Sequence, residues 1–548
     1  MSQRVLLGDE AVALAAIHAG ITAAYAYPGT PSTEILEAIR TEARDTGPPG
    51  IWTANEKTAY EAALGVAFMG CRALVAMKHV GLNVAADPFV NSALVTPHGG
   101  LVLAVADDPG MHSSQNEQDS RVLADFARIV CLEPASQQEA YDMTREAFDV
   151  SEEFRIPVMI RLVTRLAHAR GVVSIRPSRA PNTRRKPDHP SNWILLPANA
   201  RRQWRSLLDR QPDLRAWSHQ ARWNACDMDS GTATGVLTAG VARNYFQENV
   251  PDLTSPPRHL HVATYPLSVE RVRAFCAGLE HLLVLEDGYP FIERSVRGLL
   301  PSGLSVLGRE SGAVPADGEL TPDVVRAALR LPSRPAMSAV ALSLPSRPPQ
   351  LCAGCPHGDS FRALNAVLTE PTHAVVTSDI GCYTLGALPP YGAIESCVCM
   401  GASIGMAKGA ADAGQRPVVA TIGDSTFLHS GITPLLDAAA ANAPMTVLIL
   451  DNATVGMTGG QPTLVASSRL EAIVRAVGVA PEHVRVLTAH PRHAHENETV
   501  LREEIAYEGL SVVIFVRECV ETARAHKQGH AGEPSRAGAA GGGQQEAS

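Results

Sequence analysis

The sequence predicts an α/β protein made of several domains built on parallel sheets. Short runs of apolar, β-branched residues recur along the chain and alternate with stretches of helical periodicity. These runs end in polar or glycine-rich turns, as strands of a parallel sheet do at their carboxyl ends. With 548 residues the chain is too long for one hydrophobic core, so about three domains are expected.

The first block, residues 1–170, has the alternating rhythm of a parallel α/β domain. Its clearest predicted strands are Ala73–Met77, Leu101–Ala106 and Ile156–Ile160. A linker is predicted over 171–229, where the segment RPSRAPNTRRKPDHPSN is rich in Pro, Arg and Asn.

A second α/β domain is predicted over residues 230–335. Its apolar runs Thr234–Thr238 and Leu282–Leu285 are the strands that define it. A second linker, rich in Pro and Ser, is predicted over 336–349.

The third block spans residues 350–522 and contains a βαβ unit. Val418–Ile422 and Thr446–Leu450 are β-branched runs typical of buried parallel strands. An Ala- and Leu-rich helix, about Thr426–Asn442, is predicted between them. The segment 523–548 is glycine-rich, cannot build a core, and is predicted to be a disordered tail.

The composition disfavours nucleic-acid binding and membrane insertion. The formal net charge is −9 and aromatic residues make up 5% of the chain, whereas general nucleic-acid binders are usually basic. Asp9 and Glu10 interrupt the apolar N-terminal stretch, which argues against a secretory signal. Apolar runs stay below the roughly 18 residues that span a membrane. We therefore expect a cytoplasmic protein whose ten cysteines do not form disulfides.

The most specific local motif is Gly423-Asp424-Ser425, followed after the next strand by Asp451-Asn452. Asp424 and Asn452 each follow a predicted strand, and the carboxyl ends of neighbouring parallel strands bind ligands. Their oxygens suit Mg²⁺, which leaves coordination sites for a diphosphate, and Gly423 lets the backbone approach a phosphate. Ordinary turns after two strands would produce the same residues without a site. In its βαβ context, however, the spacing resembles the signature of thiamine diphosphate enzymes.

A thiamine diphosphate enzyme also needs a glutamate that hydrogen-bonds the pyrimidine ring of the cofactor. The candidate is Glu56, in the segment TANEK before a helix predicted over Ala59–Met69. A glutamate at such a position often interacts only with the helix dipole. The assignment of Glu56 therefore depends on the wider resemblance of the first block.

Motifs in the first and third blocks, in order over about residues 5–522, resemble the alpha subunit of indolepyruvate:ferredoxin oxidoreductase. The motifs are YPGTPSTE from Tyr27, NEK from Asn55, MKHVGLN from Met77, SSQNEQD from Ser113, CAGCPH from Cys352, DIGCY from Asp379 and GDSTF from Gly423.

The resemblance implies thiamine diphosphate and Mg²⁺ as cofactors, held by a pyrimidine-type and a diphosphate-type domain. It implies a transketolase C-terminal-like fold for the middle domain. Thr30 is expected beside the substrate, although it also suits the N-cap of a helix that Pro31 begins. A carbonyl near Thr454 is expected to complete the Mg²⁺ shell. Met457, which is apolar, and Thr458 are expected to lie over the thiazolium ring. The implied cofactor-binding residues are Glu56, Gly423, Asp424, Ser425, Asn452, Thr454, Met457 and Thr458.

Four cysteines match the order of the ligands to one [4Fe–4S] cluster in related oxidoreductases: Cys352, Cys355, Cys382 and Cys519. A Zn²⁺ site would use the same four thiolates, and a site without metal is also open. The sequence lacks the C-x₂-C-x₂-C-x₃-C-P segment in which the family usually carries two further clusters. The physiological electron acceptor therefore stays open between ferredoxin and another carrier. Other cysteines, namely Cys71, Cys131, Cys226 and Cys276, are expected to be packing residues.

His79 and His112 lie in stretches that resemble the active-site face of the family. Either is a candidate for acid–base catalysis or for binding the substrate carboxylate, and either can equally be structural. Lys78 and Arg121 are further candidates for pairing with that carboxylate.

The function implied is the oxidative decarboxylation of aryl pyruvates, such as indolepyruvate and phenylpyruvate, to aryl-acetyl-CoA. Glu56 is expected to assist activation of the cofactor, and coenzyme A to accept the acyl group. A smaller second subunit is expected as partner, in a heterotetramer. Two alternatives stay open: a non-oxidative thiamine diphosphate-dependent decarboxylase, and a catalytically silent scaffold subunit that binds the cofactor.

Overall fold

The computed structural model describes residues 2–44, 47–228, 232–300, 303–335, 349–368 and 373–527. It divides into two units, Met1–Ala341 and Leu342–Ser548. The predicted linker at 336–349, except its last residue, lies outside the described residues. The disordered tail predicted at 523–548 was wrong for 523–527, which are helical, and the remainder of that tail lies outside the described residues.

The first unit contains two main sheets and one short antiparallel pair. Its strands are β1 (Gln3–Leu7), β2 (Ala23–Ala26), β3 (Gly50–Trp52), β4 (Ala73–Lys78), β5 (Leu101–Asp107), β6 (Val130–Leu132), β7 (Val158–Val163), β8 (Arg170–Ser174), β9 (Cys226–Asp227), β10 (Thr234–Ala239), β11 (Arg258–Val262), β12 (Thr264–Tyr265), β13 (His281–Leu285) and β14 (Ser305–Leu307).

The helices of the first unit lie between these strands. They are α1 (Gly8–His18), α2 (Thr33–Ala43), α3 (Glu56–Phe68), α4 (His79–Val84), α5 (Ala86–Ser92), α6 (Ser120–Ala127), α7 (Gln137–Phe154), α8 (Thr164–His168), α9 (Pro197–Gln220), α10 (Ala242–Asn249), α11 (Val269–Cys276), α12 (Phe291–Arg297) and α13 (Pro322–Ala328).

The larger sheet has the strand order β12-β6-β7-β5-β4-β2-β3, and every pair is parallel except β12 with β6. The smaller sheet has the order β14-β13-β10-β11-β9, in which only β9 is antiparallel. The central strand β5 is buried along its whole length, which explains its continuous apolar sequence. Because one hydrophobic core joins both sheets, the first and second predicted blocks pack into one unit.

The stretch 171–229 contains a long helix that the sequence analysis did not predict. Helix α9 runs for 24 residues through a region that its Pro and Arg content marked as a linker. The helix is mostly polar and contains Pro212, so its apolar stripe is weak. Only a narrow face, which includes Leu207 and Leu214, is buried. The expectation for Cys226 was also wrong, because this thiol is exposed on the short edge strand β9.

A network of buried charges holds the two sheets of the first unit together. Arg161 on β7 donates to Asp107 Oδ2 at 2.6 Å and to Glu133 Oε1 at 2.5 Å. Arg121 Nη1 lies 3.0 Å from Glu286 Oε2, beyond the end of β13. Both guanidinium groups are almost completely buried, so each is needed to neutralise carboxylates that cannot reach water.

The second unit is built on a single five-stranded parallel sheet with a small hairpin. Its strands are β15 (Val375–Thr377), β16 (Val418–Gly423), β17 (Met445–Asp451), β18 (Thr454–Val455), β19 (Gln461–Pro462), β20 (Val484–Thr488) and β21 (Leu510–Val516). Its helices are α14 (Pro356–Val367), α15 (Ala402–Asp412), α16 (Asp424–Thr426), α17 (Ile432–Ala440), α18 (Leu470–Ala476), α19 (Ala494–Ala506) and α20 (Val520–Lys527).

The strand order in the second unit is β15-β16-β17-β21-β20. Strands β16 and β17 are parallel neighbours, which confirms the predicted βαβ unit. The helix between them is interrupted by a π-helical segment, Phe427–Gly431, between α16 and α17. Among the described residues, the helices of both units are too short or too polar to cross a lipid bilayer.

Replacement of Arg161 by Met should destabilise the first unit by about 3–5 kcal/mol, because Asp107 and Glu133 would lose the cation that neutralises them. The measurement is chemical denaturation of the full chain followed by circular dichroism. The matched control is Arg4→Met, which removes a half-exposed ion pair with Glu42 and should cost less than about 1 kcal/mol. Equal effects of the two substitutions would contradict the role given to the network.

Candidate active site

Asp424 and Asn452 lie side by side at the carboxyl edge of the second unit's sheet. Asp424 directly follows β16, and Asn452 directly follows the neighbouring strand β17. The N–H groups of Ser425 and Ala453 each donate to one oxygen of the Asp424 carboxylate, both at 2.9 Å. The predicted adjacency of the two motif residues is therefore present in the structure.

The turn after β17 concentrates negative charge around Asp424. Ala453 has a φ of 59°, a conformation rare for a residue with a Cβ, and its N–H also donates to Asp451 Oδ1 at 3.0 Å. Burial, and next the Asp451 carboxylate, hold the pKa of Asp424 well above its usual range. Asp451 Oδ2 is buried and has no hydrogen-bond partner among the described residues. Two close carboxylates with an unsatisfied oxygen fit a divalent cation.

Gly423 is required by an aromatic ring. A Cβ at this position would lie 2.6 Å from Cε1 of the buried Tyr383. The hydroxyl of Tyr383 donates to Asp379, whose pKa is raised to about 6 by burial. The role of Gly423 in letting the backbone approach a phosphate stays a prediction, and the structure adds that this glycine makes room for Tyr383.

The loop after Asn452 forms a small hairpin, β18–β19. Thr454 Oγ1 donates to the Gln461 carbonyl at 3.1 Å, and Thr458 Oγ1 lies 2.5 Å from Gln461 Oε1. Met457 stands at the tip of this loop with 60% of its surface exposed. The loop is thus tied internally and presents one apolar side chain outward.

The four predicted ligand cysteines come together in the second unit. Burial raises the pKa of the Cys382 thiol to about 12, and the nearby thiols Cys355, Cys519 and Cys352 add to this. All four cysteines are described, and no three of their sulfurs lie within 4.8 Å of one another. Sulfurs bound to a single zinc ion at about 2.3 Å are only about 3.8 Å apart. The four sulfurs, as they stand, are therefore too far apart to be the ligands of one zinc ion.

Asn452 joins the cysteines to the predicted cation site. Its carbonyl accepts a hydrogen bond from Cys519 N at 3.0 Å. Its Nδ2 donates to His357 Nε2 at 3.2 Å, and burial lowers the pKa of that histidine to about 4, so the ring is neutral. Gly456 lies against Cys382, since a Cβ there would be 3.1 Å from the Cys382 sulfur. Within the second unit, the loop that follows β17 therefore lies beside the cysteines at residues 382 and 519.

In the first unit, Glu56 is the first residue of α3 and is buried. Asn55 caps this helix by accepting from Thr58 N at 2.9 Å. A Cβ at Gly81 would lie 2.5 Å from Glu56 Oε1, so the carboxylate rests against the backbone of α4. The sequence analysis did not assign Gly81, although it lies in the MKHVGLN motif.

Further polar residues line the same sheet edge as Glu56. Lys78 Nζ donates to the Ser113 carbonyl at 3.1 Å, and burial lowers the pKa of the amine, while Asp108 and Glu56 oppose this effect. Asp108 Oδ2 accepts from Ser114 Oγ at 2.7 Å. The sequence analysis did not assign Asp108, which holds the following loop through Ser113 N and Ser114 Oγ.

Thr30 lies on this edge, but not as a helix cap. Helix α2 begins at Thr33 with Ser32 as its N-cap, so the prediction that Thr30 caps a helix starting at Pro31 was wrong. Thr33 Oγ1 accepts from Gly29 N at 2.9 Å and so closes the turn locally. The Thr30 carbonyl accepts from Ser113 Oγ at 3.2 Å, which ties the two loops together.

The candidate histidines and Arg121 have different surroundings. His79 is buried, and its Nε2 lies 3.2 Å from the Asn116 carbonyl. His112 is half exposed, with its Nε2 3.4 Å from Glu319 Oε2. Arg121 is committed to the buried network, so the expectation that it binds a substrate carboxylate was wrong.

Comparison with known proteins identifies the family. The model for the C-terminal cofactor-binding domain of thiamine pyrophosphate enzymes matches residues 379–515. The model for the thiamine diphosphate-binding region of pyruvate flavodoxin/ferredoxin oxidoreductases matches residues 14–203. Indolepyruvate oxidoreductase subunit IorA of Archaeoglobus fulgidus is 38% identical, with 94% of this chain and 86% of the relative covered. The chain belongs to the IorA family. The subunit of Thermococcus kodakarensis is 34% identical, with 94% and 85% covered.

The IorA-type subunit is therefore a thiamine diphosphate-binding component of a 2-oxoacid oxidoreductase. Its fold is similar to that of a 2-oxoglutarate:ferredoxin oxidoreductase from Magnetococcus marinus, with a TM-score of 0.50 and 15% identity over 60% of this chain and 65% of the other. Strands β2 to β7 of the larger sheet lie within the first-unit match at 14–203, and β16, β17 and β20 lie within the second-unit match at 379–515.

Replacement of Gly423 by Ala should lower the stability of the second unit by about 1–3 kcal/mol, because the new Cβ meets the buried Tyr383 ring. The control is Gly405→Ala in α15, where no atom lies within 4 Å of the new Cβ and the helix should gain up to about 1 kcal/mol. Urea denaturation of both variants measures the difference. A G423A protein as stable as G405A would contradict the packing described.

Proposed function

We propose that this subunit, with a smaller second subunit, catalyses the oxidative decarboxylation of aryl pyruvates such as indolepyruvate and phenylpyruvate. The aryl-acetyl group passes to coenzyme A, and the electrons leave through one [4Fe–4S] cluster to ferredoxin or another carrier. The observation that carries the proposal is the turn at Asn452 and Ala453: the Asn452 carbonyl accepts from Cys519 N, and Ala453 N donates to Asp424 Oδ2. A non-oxidative decarboxylase has no use for four thiols beside its cofactor site.

The overall reaction balances with coenzyme A as the acyl acceptor and the electron carrier as the oxidant. One 2-oxoacid and one coenzyme A thiol yield the acyl-CoA thioester, carbon dioxide, one proton and two electrons. The bond from the carboxylate to the 2-oxo carbon breaks, and the bond from that carbon to the coenzyme A sulfur forms. Two electrons must leave one at a time through the cluster, which requires a carrier subunit or protein at its exposed side.

The second unit would hold the diphosphate end of the cofactor. Asp424 and Asn452 offer a carboxylate and an amide oxygen to Mg²⁺, and the nearby backbone of Thr454 offers a carbonyl. Ser425 and the hairpin residues Met457 and Thr458 would lie along the cofactor. Bound thiamine diphosphate supplies the carbon nucleophile and the electron sink that decarboxylation needs.

The first unit would act on the pyrimidine end and on the substrate. Glu56, held by Gly81, would accept a hydrogen bond from the pyrimidine ring and so assist removal of the thiazolium proton. Lys78 carries a positive charge near Glu56 and suits a substrate carboxylate. Thr30 lies in the same edge cluster, and His79 and His112 stay candidates for proton transfer at its border.

The cluster is tested by anaerobic purification of the full chain, followed by an ultraviolet–visible spectrum with iron and sulfide assays. We expect about four iron and four sulfide per chain, with loss of most of both in Cys382→Ser. The control is Cys226→Ser, which removes an exposed thiol on β9 of the first unit. Stoichiometric zinc without iron would overturn the cluster, and an iron-free protein that still binds the cofactor would favour the decarboxylase or the scaffold.

The role of Glu56 is tested through the glycine against which it rests. Gly81→Ala should displace the carboxylate and slow exchange of the thiazolium proton with deuterium by about tenfold to a hundredfold, as Glu56→Gln should. The control is Gly65→Ala on α3, where the new Cβ meets nothing within 4 Å. Affinity for the cofactor, measured by calorimetry, should change little because the diphosphate site is intact. Exchange at the wild-type rate in G81A would contradict this arrangement.

A further inference from the structure

A second cluster of ionisable side chains lies in the first unit, apart from the residues assigned above. Asp9, Glu34 and His168 bring two carboxylate oxygens and an imidazole nitrogen within 4.8 Å of one another. They are far apart in sequence, and helices α1, α2 and α8 carry them. A Cβ at Gly8 would lie 2.2 Å from the Leu166 carbonyl oxygen, so glycine permits the close approach of α1 to α8.

Asp9 is the unusual member of this cluster. Its side chain is completely buried, and neither carboxylate oxygen has a hydrogen-bond partner among the described residues. The neighbouring Glu10 does not compete for the same space, because it turns back to accept from Leu7 N at 2.8 Å. A buried carboxylate without donors is costly, so it requires a cation or a proton.

The other two side chains complete a site that solvent can reach. His168 Nε2 lies 3.4 Å from Glu34 Oε2, and each side chain is 35% exposed. Ligands bound to one Zn²⁺ at about 2.0–2.1 Å in a tetrahedron are about 3.4 Å apart. Asp9 lies at the buried end of the cluster, and Glu34 Oε2 is likewise buried without a hydrogen-bond partner among the described residues, while the rest of the Glu34 and His168 side chains is partly exposed.

We propose that Asp9, Glu34 and His168 bind a divalent transition-metal cation, with Zn²⁺ as the best match. One imidazole with two carboxylates suits such ions, whereas Mg²⁺ and Ca²⁺ favour sites made of oxygen ligands alone. The site is distinct from the four cysteines and from Asp424, all of which belong to the second unit.

The position of the ion gives it a structural role. Thr33, next to Glu34, accepts the hydrogen bond from Gly29 that closes the Thr30 turn. Thr164, on the same helix as His168, donates to Asp108 Oδ1 at 2.7 Å. One bound ion would therefore hold α1, α2 and α8 together. Two of these helices contact the Thr30 turn and Asp108, which lie at the sheet edge that carries Glu56.

The test uses Co²⁺, a spectroscopic substitute for Zn²⁺, titrated into metal-free full-length protein. The comparison is between wild type and Asp9→Asn, which keeps the shape of the side chain but removes its charge. Both proteins contain the same cysteines and the same Asp424, so Co²⁺ bound there cancels in the difference spectrum. We expect one equivalent per chain more in wild type, with visible ligand-field bands and no sulfur charge-transfer band.

Two further variants guard against a folding defect in D9N. Glu34→Gln and His168→Gln alter half-exposed side chains and should each lose the same equivalent. The exposed Glu37→Gln on α2 should retain it. Co²⁺ should raise the melting temperature of wild type and E37Q by more than that of the three ligand variants, which keep the cysteines and Asp424. Equal Co²⁺ binding by wild type and D9N would overturn the proposal and would assign a neutral, protonated carboxyl to Asp9.

Discussion

The hydrogen bond from Ala453 N to Asp424 Oδ2 is the contact on which the second unit's site depends. It links the carboxyl ends of two parallel strands and holds a left-handed residue between Asn452 and Thr454. That turn aims Asn452 in two directions, with its carbonyl toward Cys519 and its amide toward His357. The loop thus joins the proposed cation-binding residue Asp424 to the backbone of Cys519, and a change in the turn would disturb both.

The cysteines are held by more than their own loop. Arg517, two residues before Cys519, donates to Asp359 Oδ2 at 2.6 Å and to the Gly354 carbonyl within the C-x-x-C segment. Burial raises the pKa of the Cys355 thiol, and N–H groups of His357 and Gly358 at the start of α14 oppose this. Donors at a helix start stabilise a thiolate and hence a thiolate ligand. Burial prevails over these donors and raises the pKa of Cys355 and Cys382, so the N–H groups would stabilise a thiolate only once a bound cation replaces the thiol proton.

The first unit combines a buried network of charges with a group of polar residues at the carboxyl edge of its larger sheet. Its guanidinium network lies inside, where Arg121 and Arg161 neutralise carboxylates between the two sheets. The loops that carry Thr30, Glu56 and Lys78 lie at the carboxyl edge of the larger sheet and are tied by short polar contacts. Loops that are held in place by a rigidly packed core beneath them are the usual arrangement for a site that must hold a cofactor in one geometry.

Much of this protein was determined by its sequence alone, because the decisive signals were local. Strands β16 and β17 and the motif that follows each of them are short segments whose residue types already specify buried parallel strands and a ligand-binding edge. The motifs around Glu56 and Cys352 were also short local segments, and they indicated the family from the sequence alone. Helix α9 was not predicted, because its apolar stripe is narrow and Pro212 interrupts it.

Only the tertiary structure decided which distant residues meet. Arg121 was expected at the substrate and lies instead among buried carboxylates, since its partners Glu133 and Glu286 come from other elements. Gly81 packs against Glu56, and Gly423 packs against Tyr383. A Cβ at either glycine would lie only 2.5 or 2.6 Å from that neighbour, and the spacing of residues in the sequence does not predict such contacts. Side chains from three separate helices meet around Asp9 for the same reason. Local patterns specify elements and their ends, whereas contacts between elements depend on how the whole core packs.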